Sequence, residues 1–257
     1  NVLIMAGGAG SGKGFIQQNL IGLEGKSFDP DELKKLAGKS PLINKRVKDE
    51  FGVDLKDLGS KLKVPENVSK LHEIIGDALN LPNRKQAAFF ASVMSADSER
   101  KPNIIFDTTL KDATKLQKLS RQVMELGYEK KNIHIVWVVN DIEMAKKQNL
   151  TRPRVVAAKI LVNTHRGASN TMGDILKMGE TLRKYMDGDI VFAFNKMNVD
   201  TELVKSDHGG QYMKDADYVY VKRAGKSLPP LNTLNKRMLA KVKSYVPKNI
   251  DWENLEL

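Results

Sequence analysis

The stretch from Val2 to Phe15 constrains the fold of this chain more than any other. Its first residues, Val2–Ala6, are apolar and typical of a buried strand. A glycine-rich loop follows, ends in Gly12-Lys13, and leads directly into a helical pattern. Strand, glycine-rich loop with a terminal Gly-Lys, and helix in this order form a P-loop, whose backbone N–H groups turn toward one anion. The order predicts an α/β fold with a phosphate-binding loop at the edge of a parallel sheet.

The loop residues predicted to bind the nucleotide are consecutive: Gly7, Gly8, Ala9, Gly10, Ser11, Gly12, Lys13, Gly14 and Phe15. Lys13 can reach the β- and γ-phosphates of ATP, and the helix that begins there adds the positive end of its dipole. Gly14 departs from the pattern, which has Ser or Thr here to bind Mg²⁺ through a hydroxyl. The sequence therefore predicts ATP binding but not a metal contact through this loop. The alternative is a strand-to-helix turn without a ligand.

The length, cysteine content and charge of the chain limit the kind of protein it can be and the partners it can bind. The 257 residues suffice for one large α/β domain, and the absence of cysteine excludes disulfides and thiolate metal sites. A cysteine-free chain fits a reducing compartment, so we expect a cytoplasmic protein. No apolar run approaches the ~20 residues that span a bilayer, so we expect no membrane partner. The net charge of +11 suits anionic partners, with nucleic acid as an open possibility, and no protein partner is evident.

Apolar runs alternate with helical patterns, which is typical of a mainly parallel sheet with helices on both faces. Five strands are predicted: Val2–Ala6, a short strand ending at Phe28, Asn103–Asp107, Ile133–Val139 and Asp189–Asn195. An added strand at Asp217–Lys222 and a basic amphipathic helix at Asn232–Val246 are further candidates. Residues 40–100 exceed one crossover and read as a helical insertion, which includes helices at Asn67–Leu79 and Asn83–Met94. We expect one domain over 1–257, with a C-terminal extension at 196–257.

Two acidic segments follow predicted strands and so belong at the ligand-binding edge of the sheet. After the second strand, Asp31 is a candidate general base, and Asp29 fits a helix cap as well as a substrate contact. After the third, Asp107 occupies the place of a magnesium-associated carboxylate. Thr108 and Thr109 are candidate substrate contacts, and turn chemistry explains them equally well.

Two arginines flank Pro153 after the fourth strand and its helix. Arg152 and Arg154 suit a lid over the transferred phosphoryl group, because guanidinium is planar and always charged. The alternative is an exposed basic loop. His165 lies further on and is left unassigned, since a lone histidine is more often structural. No histidine or cysteine spacing for zinc is present.

The order of these segments resembles the P-loop kinases of the zeta-toxin group. The resemblance rests on Gly7–Lys13, Phe28-Asp29-Pro30-Asp31, Asp107-Thr108-Thr109 and the lid arginines, and covers roughly residues 1–37 and 102–195. The loop wording, Gly-Gly-Ala-Gly-Ser-Gly-Lys-Gly-Phe, also resembles uncharacterised kinases of this type from bacteriophage genomes.

The resemblance implies a fold and an activity. Zeta toxins use ATP to phosphorylate the 3′-hydroxyl of UDP-N-acetylglucosamine, so it implies a P-loop kinase acting on a nucleotide-like or nucleotide-sugar hydroxyl, with ATP and Mg²⁺. Lys13 would be the Walker lysine, Asp31 the base, Asp107 a shortened form of the strand-three glutamate, and Arg152 and Arg154 the phosphate clamp. Two alternatives stay open: a polynucleotide kinase, favoured by the charge, and a non-catalytic ATP-binding phage protein, favoured by Gly14.

Overall fold

The computed structural model describes residues 1–96, 100–195, 203–205, 211–213 and 218–236. Its main sheet has six strands in the order β2-β3-β1-β4-β5-β8. These are β1 (Val2–Ala6), β2 (Lys26–Phe28), β3 (Ile104–Asp107), β4 (Ile133–Val139), β5 (Ile190–Phe194) and β8 (Tyr218–Lys222). A separate antiparallel pair joins β6 (Leu203–Lys205) to β7 (Gln211–Met213).

The first five strands of the sheet pair in parallel, as the alternating pattern predicts. The predicted number of strands is corrected from five to six, because β8 adds to β5 at the edge. This sixth strand pairs with β5 in the antiparallel direction. It matches the candidate strand at Asp217–Lys222.

Alternate residues of the strands enter two different apolar cores, which gives the sheet helices on both faces. From β1, Val2 and Ile4 pack into the larger core, whereas Leu3 and Met5 enter the smaller one. Helices α7 (Ala113–Glu125) and α9 (Ala158–Lys177) cover the first face. On the other face lie α1 (Lys13–Ile16) and the π-helical turn Gln17–Ile21. Helix α8 (Ile142–Thr151) connects β4 to the segment before α9.

The region before β3 is helical, as predicted. It comprises α2 (Pro30–Lys39), α3 (Pro41–Phe51), α4 (Leu55–Ser60), α5 (Pro65–His72) and α6 (Leu81–Met94). The predicted helix at Asn67–Leu79 is divided, since a π-helical turn at Glu73–Ala78 follows α5. Residues from α2, α3, α4, α5 and this turn form a third small core, which includes Val47, Leu55 and Ile75. Of the predicted helix at Asn232–Val246, only residues up to 236 are described, and these are helical.

The carboxyl edge of the sheet brings together the segments that were predicted to form the ligand site. The chain passes from β1 to β2 on one side and later to β4 on the other, so β1 lies between β3 and β4 at a switch point. The P-loop leaves β1 at this edge, and Asp107 ends β3 beside it. No helix in the described ranges is both long and apolar enough to cross a membrane.

Candidate functional site

The loop after β1 has the backbone of a phosphate cradle. Gly7, Gly10 and Gly12 have φ angles of 143°, 75° and 89°, a region that strongly favours glycine. Gly14 lies outside that region, and a Cβ built on it would meet nothing within 4 Å. The backbone conformation thus requires glycine at three positions of the loop. It does not require glycine at position 14, where the usual metal-binding hydroxyl is missing and the space beside the Cα is open.

Three side chains, one from α9 and one from just after each of β4 and β5, hold carbonyls of the loop outward. His165 Nε2 donates to the Ala9 carbonyl at 2.8 Å, and Asn195 Nδ2 donates to the Ser11 carbonyl at 2.9 Å. Asn140 Nδ2 donates to the Gly10 carbonyl at 3.3 Å. A planar trans peptide points its C=O and the next N–H in opposite directions. The N–H groups that follow Ala9 and Ser11 therefore face inward, and no described protein group accepts from them.

Lys13 folds back over this loop. Its Nζ lies 3.1 Å from the Gly7 carbonyl and 3.4 Å from that of Gly8, and 3.6 Å from Asp107 Oδ1. The side chain is only 12% exposed. The ammonium group of Lys13 therefore lies beside the loop, and a phosphate could replace its present contacts.

Asp107 is a carboxylate with incomplete charge compensation. Its burial raises its pKa, the nearby Asp29 and Asp31 add to this, and Lys13 opposes it. A further cation beside Asp107 would relieve the cost of its burial, so the residue fits a role near Mg²⁺. Within the described residues no group of three or more His, Asp or Glu could hold a metal ion. A metal here would therefore also need phosphate oxygens and water as ligands.

Asp31 lies at the start of α2, between two cations. Its Oδ1 is 2.9 Å from Lys34 Nζ and 3.0 Å from Arg154 Nη1. Desolvation by the surrounding protein acts to raise the pKa of Asp31, but Arg154 and Lys34 outweigh it and hold that pKa well below its usual range. Asp31 is therefore ionised at neutral pH, as a proton acceptor must be, although its pairing lowers its basicity.

The segment that carries the lid arginines is anchored at its carboxyl end. Asn149 is buried, accepts from Val156 N–H at 2.9 Å and donates to the Val156 carbonyl at 2.7 Å. The N–H of Val155 donates to the carbonyl of Leu62 in the helical insertion at 2.9 Å. We name residues 152–156 the strap, because these bonds join it to Asn149 of α8 on one side and to Leu62 on the other.

The two arginines of the strap differ in their surroundings. Arg154 is half of the ion pair with Asp31, and its side chain is 18% exposed. No ion pair or hydrogen bond joins the side chain of Arg152 to any residue that the structure describes. The geometry therefore brings Arg154 into the crevice and leaves the role of Arg152 a prediction.

The remaining predicted contacts lie at turns. Asp29 caps α2 by accepting from the N–H of Asp31 at 2.7 Å. Thr108 is buried, and its hydroxyl accepts from Leu110 N–H at 3.2 Å. The carbonyl of Thr109 accepts from Gly7 N–H at 3.3 Å. Each of these residues has a structural partner at its turn, and their contacts with substrate stay predictions.

Sequence reasoning missed several residues that surround the site. Lys34 is 7% exposed and pairs with Asp31, a spacing of three along one helix that is a recognisable signal. Asn140 and Asn195 each follow a strongly apolar strand, where polar residues belong to the ligand edge. His72 on α5 lies within electrostatic reach of Lys34, Asp31 and Arg154, and nothing in the local sequence signals this.

No protein family matches the sequence, and neither does any curated protein. Among solved structures, the complex AvrRxo1-ORF1:AvrRxo1-ORF2 with sulphate ions is similar, with a TM-score of 0.50 and 12% identity over 98% of this chain and 66% of that chain. The AvrRxo1-ORF1:-ORF2 structure with ATP gives a TM-score of 0.48, 13% identity and the same coverage. TT1252 from Thermus thermophilus gives 0.37 and 14%, over 96% of this chain and 98% of that one. This chain thus spans slightly less than two thirds of its AvrRxo1 counterpart, and the likeness at a TM-score of 0.50 is one of fold.

Proposed function

We propose that this protein is an ATP-dependent kinase that phosphorylates a hydroxyl group of a small anionic acceptor of the nucleotide or nucleotide-sugar type. One observation carries the proposal: the P-loop lysine and the candidate base belong to one electrostatic cluster, with Asp107 between them. Lys13 lies 3.6 Å from Asp107, and Asp31 contributes to the raised pKa of the same carboxylate. A phosphate cradle and a proton acceptor facing one crevice are the two requirements of phosphoryl transfer to a hydroxyl.

The roles follow from the contacts. Lys13 and the inward N–H groups hold the β- and γ-phosphates of ATP, and Asp31 accepts the proton of the acceptor hydroxyl. The acceptor oxygen bonds to the γ-phosphorus, the bond from that phosphorus to the β–γ bridging oxygen breaks, and ADP leaves. The Arg154 side chain leaves its ion pair with Asp31 and contacts the phosphoryl group, whose negative charge it stabilises. Mg²⁺, held near Asp107, would neutralise phosphate charge. Catalysis is then mainly positioning and electrostatics.

The balance of charge beside Asp31 supports an anionic acceptor. Lys34 and Arg154 both pair with Oδ1 of one carboxylate, and His72 approaches them from α5. Once Arg154 turns to the phosphates, the buried Lys34 stays beside Asp31, where the acceptor hydroxyl would bind. A phosphate or diphosphate of the acceptor would meet this positive charge.

The test is a transfer assay with γ-labelled ATP and a panel of nucleotide sugars, nucleosides and oligonucleotides. We expect one labelled product. Asp31→Asn should lower its turnover on the order of 10²–10⁴-fold with ATP affinity nearly constant. Lys13→Ala should lower ATP affinity about tenfold or more, because it removes a charge-assisted phosphate contact. Asp57→Asn, at an exposed ion pair of the insertion, is the matched control. A folded Asp31→Asn protein with wild-type turnover would exclude the proposed mechanism.

A nucleic acid end is the second candidate acceptor. Lys115 and Lys118 are exposed on α7, and Lys111 is exposed just before it. Both Lys111 and Asp107 influence Lys115 electrostatically. This basic row leads toward Asp107. If it binds a polynucleotide, replacing its three lysines by alanine should weaken oligonucleotide binding and flatten its salt dependence, whereas Lys39, Lys45 and Lys56 replaced together should not. Equal binding by both triple variants would exclude the row as a nucleic-acid site.

A further inference from the structure

His165 fills the place where Gly8 would carry a side chain. A Cβ built on Gly8 would lie 2.1 Å from His165 Cδ2. Gly8 is not in the left-handed region that Gly7, Gly10 and Gly12 occupy. The backbone conformation therefore does not account for glycine at this position, and the imidazole packed against it does.

The same turn of α9 holds both polar groups of Ala9. His165 Nε2 donates to the Ala9 carbonyl at 2.8 Å, and the Thr164 hydroxyl accepts from the Ala9 N–H at 3.0 Å. The Thr164 hydroxyl donates its own proton to the Leu161 carbonyl at 2.8 Å, which leaves its lone pairs for Ala9. Both contacts lie next to the loop residues that Lys13 touches, since Lys13 Nζ reaches the carbonyls of Gly7 and Gly8.

We propose that His165 and Thr164 are positioning residues of the P-loop, which fix the peptide between Ala9 and Gly10 so that the Gly10 N–H faces the phosphate chain of the nucleotide. With the Ala9 carbonyl held outward by His165, the planar peptide directs that N–H into the cradle. The inference rests on the proposed function in one respect, namely that the loop binds the phosphates of ATP. Neither residue touches the reacting atoms, so their effect belongs to binding.

The test is calorimetric titration of the full chain with ATP. His165→Leu keeps an apolar side chain in the space but cannot donate, so we expect ATP affinity to fall about tenfold, or by about 1.4 kcal/mol. His165→Gln, whose amide can donate to the Ala9 carbonyl, should recover most of the loss. His134→Leu removes another partly buried histidine, at the opposite edge of the sheet, and should leave ATP affinity unchanged. Where transfer activity is measured, the KM for ATP should rise while kcat at saturating ATP stays within about twofold.

A second pair of variants tests the contact with Gly8 directly. Gly8→Ala should weaken ATP binding strongly in the wild-type background, because its methyl group collides with the imidazole. In a His165→Ala background the same change should cost much less, since the space is open. If His165→Leu fails to fold, Thr164→Val removes the acceptor for the Ala9 N–H and should lower ATP affinity severalfold.

Two results would overturn the inference: a folded His165→Leu protein with wild-type ATP affinity, or a Gly8→Ala loss of equal size in both backgrounds. Wild-type protein that binds no ATP would instead overturn the proposed function, and this inference with it.

Discussion

At the scale of single residues, Gly14 separates phosphate binding from metal binding. Its backbone lies outside the left-handed region and its surroundings are open, so serine fits there without strain. A hydroxyl at this position would supply the missing metal ligand. We expect Gly14→Ser to lower the Mg²⁺ concentration for half-maximal activity severalfold, with ATP affinity retained. Gly14→Ala adds the Cβ alone, and if it matches Gly14→Ser in a magnesium titration, the hydroxyl contacts no metal.

Lys34 makes a second prediction at this scale. It is buried beside Asp31, and together with Arg154 it holds the pKa of that carboxyl low against the effect of desolvation. Lys34→Met keeps the shape and removes the charge, so the pKa of Asp31 should rise. The acid limb of kcat/KM then moves to higher pH, because Asp31 must be ionised to accept a proton. The pH profile of Lys61→Met, which removes an exposed partner of Asp57, should match the wild type. An unmoved limb in Lys34→Met would contradict the assignment.

The residues that could be predicted from sequence are those whose signal is local. The glycines of the loop, Asp29 as a cap and Asp31 after β2 follow from spacing and from strand ends. The contact between His165 and Ala9 joins residues 156 positions apart, and that between Asn195 and Ser11 joins residues 184 apart. Such pairs depend on how α9 and β5 pack around the loop. No local pattern encodes that packing.

At the scale of elements, the same division holds. The five parallel strands and the caps of α7 and α8 were predictable, because apolar runs and Asp112 and Asp141 mark them. The π-helical turns after α1 and α5 were not, because an i→i+5 bond leaves the local hydrophobic period almost unchanged. The strap was predicted as a lid, but its two anchors are far apart in the sequence and required the structure. Asn149 belongs to α8, and Leu62 lies in the turn between α4 and α5.

The strap gives a prediction at this scale. Asn149→Ala removes two buried hydrogen bonds to Val156 and leaves its backbone groups unpaired, which should cost about 2–4 kcal/mol of unfolding free energy. Where the strap is released before the rest of the chain, trypsin should cut faster after Arg154. Thr151→Ala removes only an exposed bond to the Gln148 carbonyl and should change neither quantity. Wild-type denaturation and cleavage rates in Asn149→Ala would show that the strap is held by other contacts.

At the scale of the whole molecule, the candidate site draws residues from the sheet and from the helices that precede β3. The sheet carries the P-loop, whereas the helices before β3 carry Asp31 and His72, which lies within electrostatic reach of Asp31. Composition predicted an α/β chain long enough for both, yet it could not place one against the other. That placement depends on contacts between distant parts of the chain, among them the backbone bond between Leu62 and Val155 and the packing of Phe89 against Phe28 and Phe106.

Histidine burial makes the last prediction, which concerns the stability of the whole chain. Burial is the main cause that lowers the pKa of His72, His134 and His165 in the folded protein. The unfolded chain, with an ordinary histidine pKa near 6.5, then binds protons more readily. The stability that these groups contribute is therefore present above about pH 6.5 and is lost as pH falls toward their folded values.

We expect the thermal unfolding midpoint to fall between pH 7.5 and 5.5 at constant salt. The slope of the unfolding free energy is at most about 1.4 kcal/mol per pH unit for each histidine.

His134 is the best single test, because its Nδ1 accepts from the Asp189 N–H at 3.0 Å and must be unprotonated to do so. His134→Gln should flatten the dependence. Asp107 has the opposite sign, since burial raises its pKa. A midpoint that rises on acidification within this window would mean that the folded chain, and not the unfolded one, takes up the protons.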